Sequence, residues 1–146
     1  MLKMKNYIFV YGSLREGFFN FEKYLKGKVI SSKLGKVSGK ALYHMPSKGY
    51  PAMIKGSNYV FGEVFEIKDF DTNLKKLDEL EDYLGEDNPE NEYNRELLQI
   101  ELIGENEPKF ISAYVYIYNL SKDKEFANDS VLIENGDWKK FMIDNK

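Results

Sequence analysis

The chain contains no cysteine and a single histidine, His44. Without thiols there is no disulfide, no cysteine nucleophile and no thiolate metal site. One imidazole is too few for a histidine metal cluster, and nothing in the pattern sets up a Ser–His–Asp triad. No metal or cofactor is therefore expected. Basic blocks are missing as well. The net charge is −3, and Lys23, Lys26 and Lys28 are interleaved with Glu22 as on a solvated helix face, which argues against a nucleic-acid partner. Long hydrophobic runs are absent. The apolar stretch at 7–11 is too short for a signal peptide and charged residues soon follow it, so a cytoplasmic location away from membranes is expected. No repeat, low-complexity tract or linker interrupts the 146 residues, which read as one domain spanning 1–146 with a sizeable core.

Aromatic rings, by contrast, are plentiful: 11 tyrosines and 10 phenylalanines. They suggest a core or pocket walled by rings, some carrying hydroxyls that need partners. The run Tyr7-Ile8-Phe9-Val10-Tyr11 reads as a buried strand that stops at Gly12-Ser13, with a second glycine at Gly17. A strand ending in a glycine turn leaves backbone N–H groups without ladder partners, and such groups hold carboxylates, phosphates or oxyanions. Most such turns are only turns. The next residues predict a short helix over 18–25, with Asn20 as its cap and 12–19 as an open loop. Strands are expected at 39–44 and 60–67. A turn is expected at 49–52, because Pro51 is unsuited to a central ladder. Gly62 marks a bulge or a close backbone approach. Asp71 is expected to cap a helix reaching about residue 82, followed by a solvated acidic loop at 85–91. Strands at 93–103 and 110–118, and a tail that carries Asn135-Gly136-Asp137-Trp138 and a short terminal helix, complete the chain. This order predicts an α+β domain with a strongly curved or closed sheet.

One residue breaks the binary pattern. At about 100° per residue, Phe70, Leu74, Leu77, Leu80 and Leu84 share one helix arc of roughly 120°, and Glu81 falls inside it. An acid surrounded by leucine and phenylalanine loses hydration, which disfavours its charged form and raises its pKa from about 4.3 toward neutrality. A carboxyl poised there can take a proton and return it. The structural alternative is that Glu81 pairs with Arg15 or Arg95, or reaches out at the helix end. Arg95 reads as a strand-edge charge, His44 as a loop or satisfied core residue, and Trp138 as a pin for the C-terminal segment.

Tyr11-Gly12-Ser13-Leu14-Arg15 with Gly17 and Asn20 resembles the opening signature of the γ-glutamylcyclotransferase-like proteins, which include γ-glutamylamine cyclotransferases. Gly49-Tyr50-Pro51-Ala52, Gly62-Glu63-Val64-Phe65, Tyr93-Asn94-Arg95 and Ala113-Tyr114-Val115-Tyr116 are similar to later segments of that family. Leu77-Asp78-Glu79-Leu80-Glu81 resembles the helix carrying its catalytic glutamate. The likeness covers roughly residues 7–118, with Gly136-Asp137-Trp138 as a further echo. It departs at 44–49 and 85–92, where this chain looks longer. The resemblance implies a compact mixed β-barrel flanked by a few short helices and a small γ-glutamyl substrate. The substrate's α-amine would attack its own γ-carbonyl, releasing 5-oxoproline and an amine. Glu81 would be the general acid and base. The backbone of Gly12, Ser13 and Leu14 would anchor the carboxylate or oxyanion, Tyr11 would wall the pocket, Tyr114 or Tyr116 would close its other side, and Arg15 would attract the carboxylate. Ser13 lacks a base to make it a nucleophile. A monomer or weak homodimer is expected. The rival reading is a non-catalytic module that uses the same pocket to bind a small metabolite or a peptide terminus.

Overall fold

The computed structural model describes residues 6–145. Its first element, β1 (Tyr7–Val10), is buried on both faces, and its side chains divide by the twofold period of a strand. Phe9 points into one apolar cluster and Ile8 and Val10 into another. A short helix, α1 (Phe19–Tyr24), follows the glycine turn. Two long strands, β2 (Val29–Met45) and β3 (Tyr50–Ile67), form an antiparallel hairpin; then come α2 (Phe70–Leu80), β4 (Tyr93–Leu102) and β5 (Phe110–Tyr118). The tail adds α3 (Phe126–Asp129), a two-residue β6 (Val131–Leu132) and α4 (Trp138–Asp144).

The strands run β3-β1-β5-β4-β2, and β2 pairs back onto β3, which closes a five-stranded barrel with β6 added beside β2. The barrel is mixed because β1 and β5 are parallel, with Ile8 opposite Tyr114. Phe9, Val37, Val64, Ile100 and Val115, one from each barrel strand, belong to the cluster that fills the interior. Ile8, Val10 and Phe65 face the other way and are covered by Leu74 and Leu77 of α2. Register shifts between Val29 and Ser31 and around Lys40 bend the long hairpin, as bulges do. No helix among the described residues is long and apolar enough to cross a membrane.

Several local expectations need correction. The hairpin strands extend well beyond 39–44 and 60–67. The connection between them lies at 46–49, and Pro51 sits in β3 opposite His44. The ring is tolerated because β1 joins β3 only from Glu63 to Glu66, leaving the Pro51 end with β2 as its sole paired neighbour. Asn20 lies inside α1, where its amide donates to Ser13 Oγ at 2.8 Å. The residue before α2 is Asp69, in a left-handed conformation (φ 44°), so Asp71 falls in the first turn. Gly62 does mark a close approach: a Cβ there would lie 2.2 Å from the Val10 carbonyl oxygen. The loop over 85–91 is not wholly solvated. Asn91 is fully buried, accepting from Leu84 N–H at 2.6 Å and donating to the Gly85 carbonyl at 2.8 Å.

The way α2 ends sets the position of its misplaced acid. Tyr83 N–H donates to the Asp78 carbonyl at 2.8 Å and Asp82 N–H to that of Glu79 at 3.3 Å, while Asp82 itself is left-handed (φ 52°). This is a Schellman stop, made here by aspartate where glycine is usual. The chain reverses at once, which leaves Leu84 64% exposed and outside the apolar arc expected of it. Glu81 becomes the last residue before the reversal.

Candidate active site

A cavity of ≈ 180 Å³ opens where the C-terminal end of β1 meets the end of α2. One wall is the turn after β1. Gly12, Ser13 and Leu14 all line it, and the turn is closed by Arg15 N–H donating to the Gly12 carbonyl at 3.0 Å. The Gly12, Ser13 and Leu14 N–H groups donate to no protein acceptor among the described residues. Gly12 admits no side chain, since a Cβ would lie 2.7 Å from Pro51 Cγ. Asn20 secures the turn through the Ser13 hydroxyl.

Glu81 lines the same cavity. Its N–H continues the helix ladder to the Leu77 carbonyl at 2.9 Å, but its carboxyl has no protein hydrogen-bond partner among the described residues. Among the described residues no polar side-chain atom is both fully buried and unpartnered, so that carboxyl is open to the cavity. Desolvation, then the neighbouring charges of Glu92 and Asp82, push its pKa from 4.5 to about 8. Neither arginine relieves it. Arg95 pairs with Asp78 at 2.5 Å and lies over the Tyr83 and Tyr114 rings.

Tyrosines form most of the remaining wall. The Tyr11 hydroxyl donates to the Tyr116 carbonyl at 2.5 Å, tying the end of β1 to β5. Tyr93 donates to the Pro51 carbonyl at 2.7 Å and Tyr116 to Asp78 Oδ1 at 2.7 Å, while Tyr50 donates to Glu92. Burial raises the pKa of all four, so they are neutral donors rather than phenolates. Among the described residues, no group of three or more acidic or histidine side chains has metal-holding geometry.

The fold places Tyr11, Gly12, Ser13, Leu14, Glu81 and Tyr116 around one cavity. Two expected residues are elsewhere. Arg15 turns inward, 5% exposed, and pairs with Glu63 Oε2 at 2.5 Å and Asp137 Oδ1 at 2.9 Å, so its charge is committed to the scaffold. Tyr114 shares its face of β5 with Tyr116 but packs on Phe70, with ring centroids 5.9 Å apart, and does not line the cavity. His44 is also outside the cavity, accepting from Trp138 Nε1 at 3.1 Å. Residues that sequence reasoning passed over are Tyr50, Glu92 and Tyr93. Their signal was adjacency, for Glu92-Tyr93 directly precedes Asn94-Arg95, but an acid at the end of a polar loop gives no sign of facing inward.

Comparison with known proteins bears on this site. A family model described as gamma-glutamyl cyclotransferase, AIG2-like, matches residues 8–140. Gamma-L-glutamyl-butirosin B gamma-glutamyl cyclotransferase of Niallia circulans is 29% identical over 136 residues, which is 93% of this chain and 77% of that protein. A protein of Methanocaldococcus jannaschii that carries the gamma-glutamylcyclotransferase name provisionally is 34% identical over 140 residues, 92% of this chain and 97% of its own. Among solved structures, an uncharacterized protein of Pyrococcus horikoshii superposes with a TM-score of 0.62 over 96% of this chain and 95% of that one, at 21% identity. That last likeness concerns the fold alone.

Proposed function

The chain belongs to the gamma-glutamyl cyclotransferase, AIG2-like family, and from that premise we propose that it releases 5-oxoproline from a γ-glutamyl compound by intramolecular aminolysis. One observation carries the reading. The Glu81 carboxyl, which burial pushes up to about 8, lines one cavity with the Gly12, Ser13 and Leu14 N–H groups, and neither it nor they have a protein partner among the described residues.

The substrate supplies its own nucleophile, so the protein needs a base, an anchor and a dry site. Glu81 removes a proton from the α-ammonium. The freed amine attacks the γ-carbonyl, forming the ring C–N bond as the C–N bond to the departing amine breaks. Glu81 gives that proton to the departing nitrogen, and the second proton that the ring nitrogen sheds passes through the same carboxylate to the released amine, which leaves as an ammonium. A pKa of about 8 lies close to the ordinary α-amino range of about 8, so neither transfer runs steeply uphill. The N–H groups of the glycine turn hold the glutamyl carboxylate or the developing oxyanion, contacts worth most where water is excluded. Holding amine and carbonyl together supplies the proximity advantage. The open space between Glu81 and the turn supports catalysis over a bare binding module, which would gain nothing from a neutralised acid there.

The test is Glu81→Gln, which keeps the shape but cannot shuttle a proton. Turnover of γ-glutamyl amides, followed as 5-oxoproline by mass spectrometry, should fall roughly 10²–10⁴-fold with the fold intact. Wild-type turnover in this variant would refute the assignment.

A further inference from the structure

Glu81, Asp82 and Glu92 line the cavity, and among the described residues no lysine, arginine or histidine does. The proton shuttle uses only the first. Asp82 is exposed and occupies the left-handed position that ends α2. Glu92 is held far more firmly. Its N–H donates to the Asp82 carbonyl at 3.1 Å, its carbonyl accepts from Asn119 N–H at 2.9 Å, and its Oε1 accepts from the Tyr50 hydroxyl. Oε2 has no protein donor among the described residues and is not sealed away from solvent. Glu81 and Glu92 line the same cavity, and the Glu92 charge is among those that push Glu81 upward.

We propose that Glu92, fixed by Tyr50, is the acceptor for the α-ammonium of the γ-glutamyl substrate, beside the base that deprotonates it. This rests on the reaction proposed for Glu81. The γ-glutamyl group arrives as a zwitterion whose ammonium and carboxylate share one carbon. Backbone N–H groups at Gly12, Ser13 and Leu14 suit the carboxylate, and Glu92 supplies the complementary charge on the acidic wall. Two contacts fix that carbon and leave the amine facing Glu81. The groups around Glu81 that carry or could carry charge are Glu92, Asp82, Tyr11, Tyr50, Tyr93 and Tyr116. The tyrosines stay neutral, so only the two acids compete for a cation.

The probe is γ-L-glutamyl-n-propylamide, whose only cation is the α-ammonium, alongside its N-acetyl derivative. Kd is measured by calorimetry at pH 7, together with 5-oxoproline release across pH. Glu92→Gln should weaken binding of the free-amine probe about 10- to 100-fold, the range for a hydrogen bond to a charged group. It should leave the acetylated probe unaffected and move the acid limb of kcat/KM to lower pH, because a like charge has left Glu81. Tyr50→Phe should lose affinity in the same direction but less. An unchanged Kd for the free-amine probe in Glu92→Gln overturns the proposal even if the acid limb moves. A loss shared equally by the acetylated probe overturns it, and so does failure of wild type to bind the free-amine probe. Glu92-dependent binding without 5-oxoproline release would instead leave the ammonium site standing and remove the reaction.

Discussion

At the scale of single residues, the raised pKa of Glu81 predicts opposite pH trends for the proposed reaction and for stability. With its pKa raised to about 8, the carboxyl is mostly protonated at pH 7, and the base form grows in as pH rises. The acid limb of kcat/KM should therefore turn near pH 8, as read from initial rates between pH 5 and 10. Stability runs the other way. The folded pKa lies above the unfolded value, so the folded state binds the extra proton between pH 4.5 and about 8. The contribution of this group is full below pH 4.5 and is lost as pH climbs through 8. Glu81→Gln removes that decline. The variant should match wild type in acid and exceed it by on the order of a few kcal/mol above pH 8 in denaturant titrations. Equal pH dependence of unfolding in the two proteins would show that Glu81 is not desolvated.

At the scale of elements, Arg15 joins the glycine turn, β3 and the start of α4. It follows the glycine turn, pairs with Glu63 in β3, and reaches Asp137, the cap of α4, whose carboxylate also accepts from Lys140 N–H at 3.1 Å. Glu63 takes a second bond, from Glu16 N–H at 3.1 Å. The glycine turn is thus clamped to the barrel from one side and to the C-terminal helix from the other. Removing one member of a buried ion pair costs more than the pair is worth, because it strands the other charge. Arg15→Met should lower unfolding free energy by about 3–5 kcal/mol, measured as a shift in denaturant midpoint. A loss under about 1 kcal/mol would mean that Glu63 finds water or another donor.

Across the whole molecule, the last segment is part of the barrel's closure. Trp138 is 2% exposed and packs in the interior cluster, its ring 4.8 Å from that of Phe18. Gly136 sits beneath it with φ 68°, so close to β3 that a Cβ would be 2.0 Å from the Tyr59 carbonyl oxygen. Phe61 N–H donates to the Gly136 carbonyl at 2.9 Å, joining tail and barrel by backbone as well. As Trp138 is the single tryptophan, its fluorescence reports on the tail while far-ultraviolet circular dichroism reports on the strands. Both signals should lose structure at the same denaturant concentration. A fluorescence transition that precedes the other would show the tail peeling away from a stable barrel.

Patterns of short range were legible in the chain itself. The β1 run, the strands at β4 and β5, α2 with its one misplaced acid, and the glycine turn all follow from local periodicity and backbone preference, which act between neighbours in sequence. The misplaced acid was legible because a helix repeats every 3.6 residues and Glu81 sits in phase with Leu74 and Leu77. What surrounds that acid was not. Arg15, expected to attract the substrate carboxylate, is claimed instead by Glu63 and Asp137, 48 and 122 residues away, once they are folded against it. Tyr114 and Tyr116 look interchangeable by alternation, and only α2 lying across β5 sends one ring to Phe70 while the other borders the cavity. Glu92 looks like one more acid of a polar loop until Tyr50, 42 residues earlier, holds its carboxylate. Charge pairing and cavity lining are decided by contacts between distant segments, and the closure of the barrel brings those segments together.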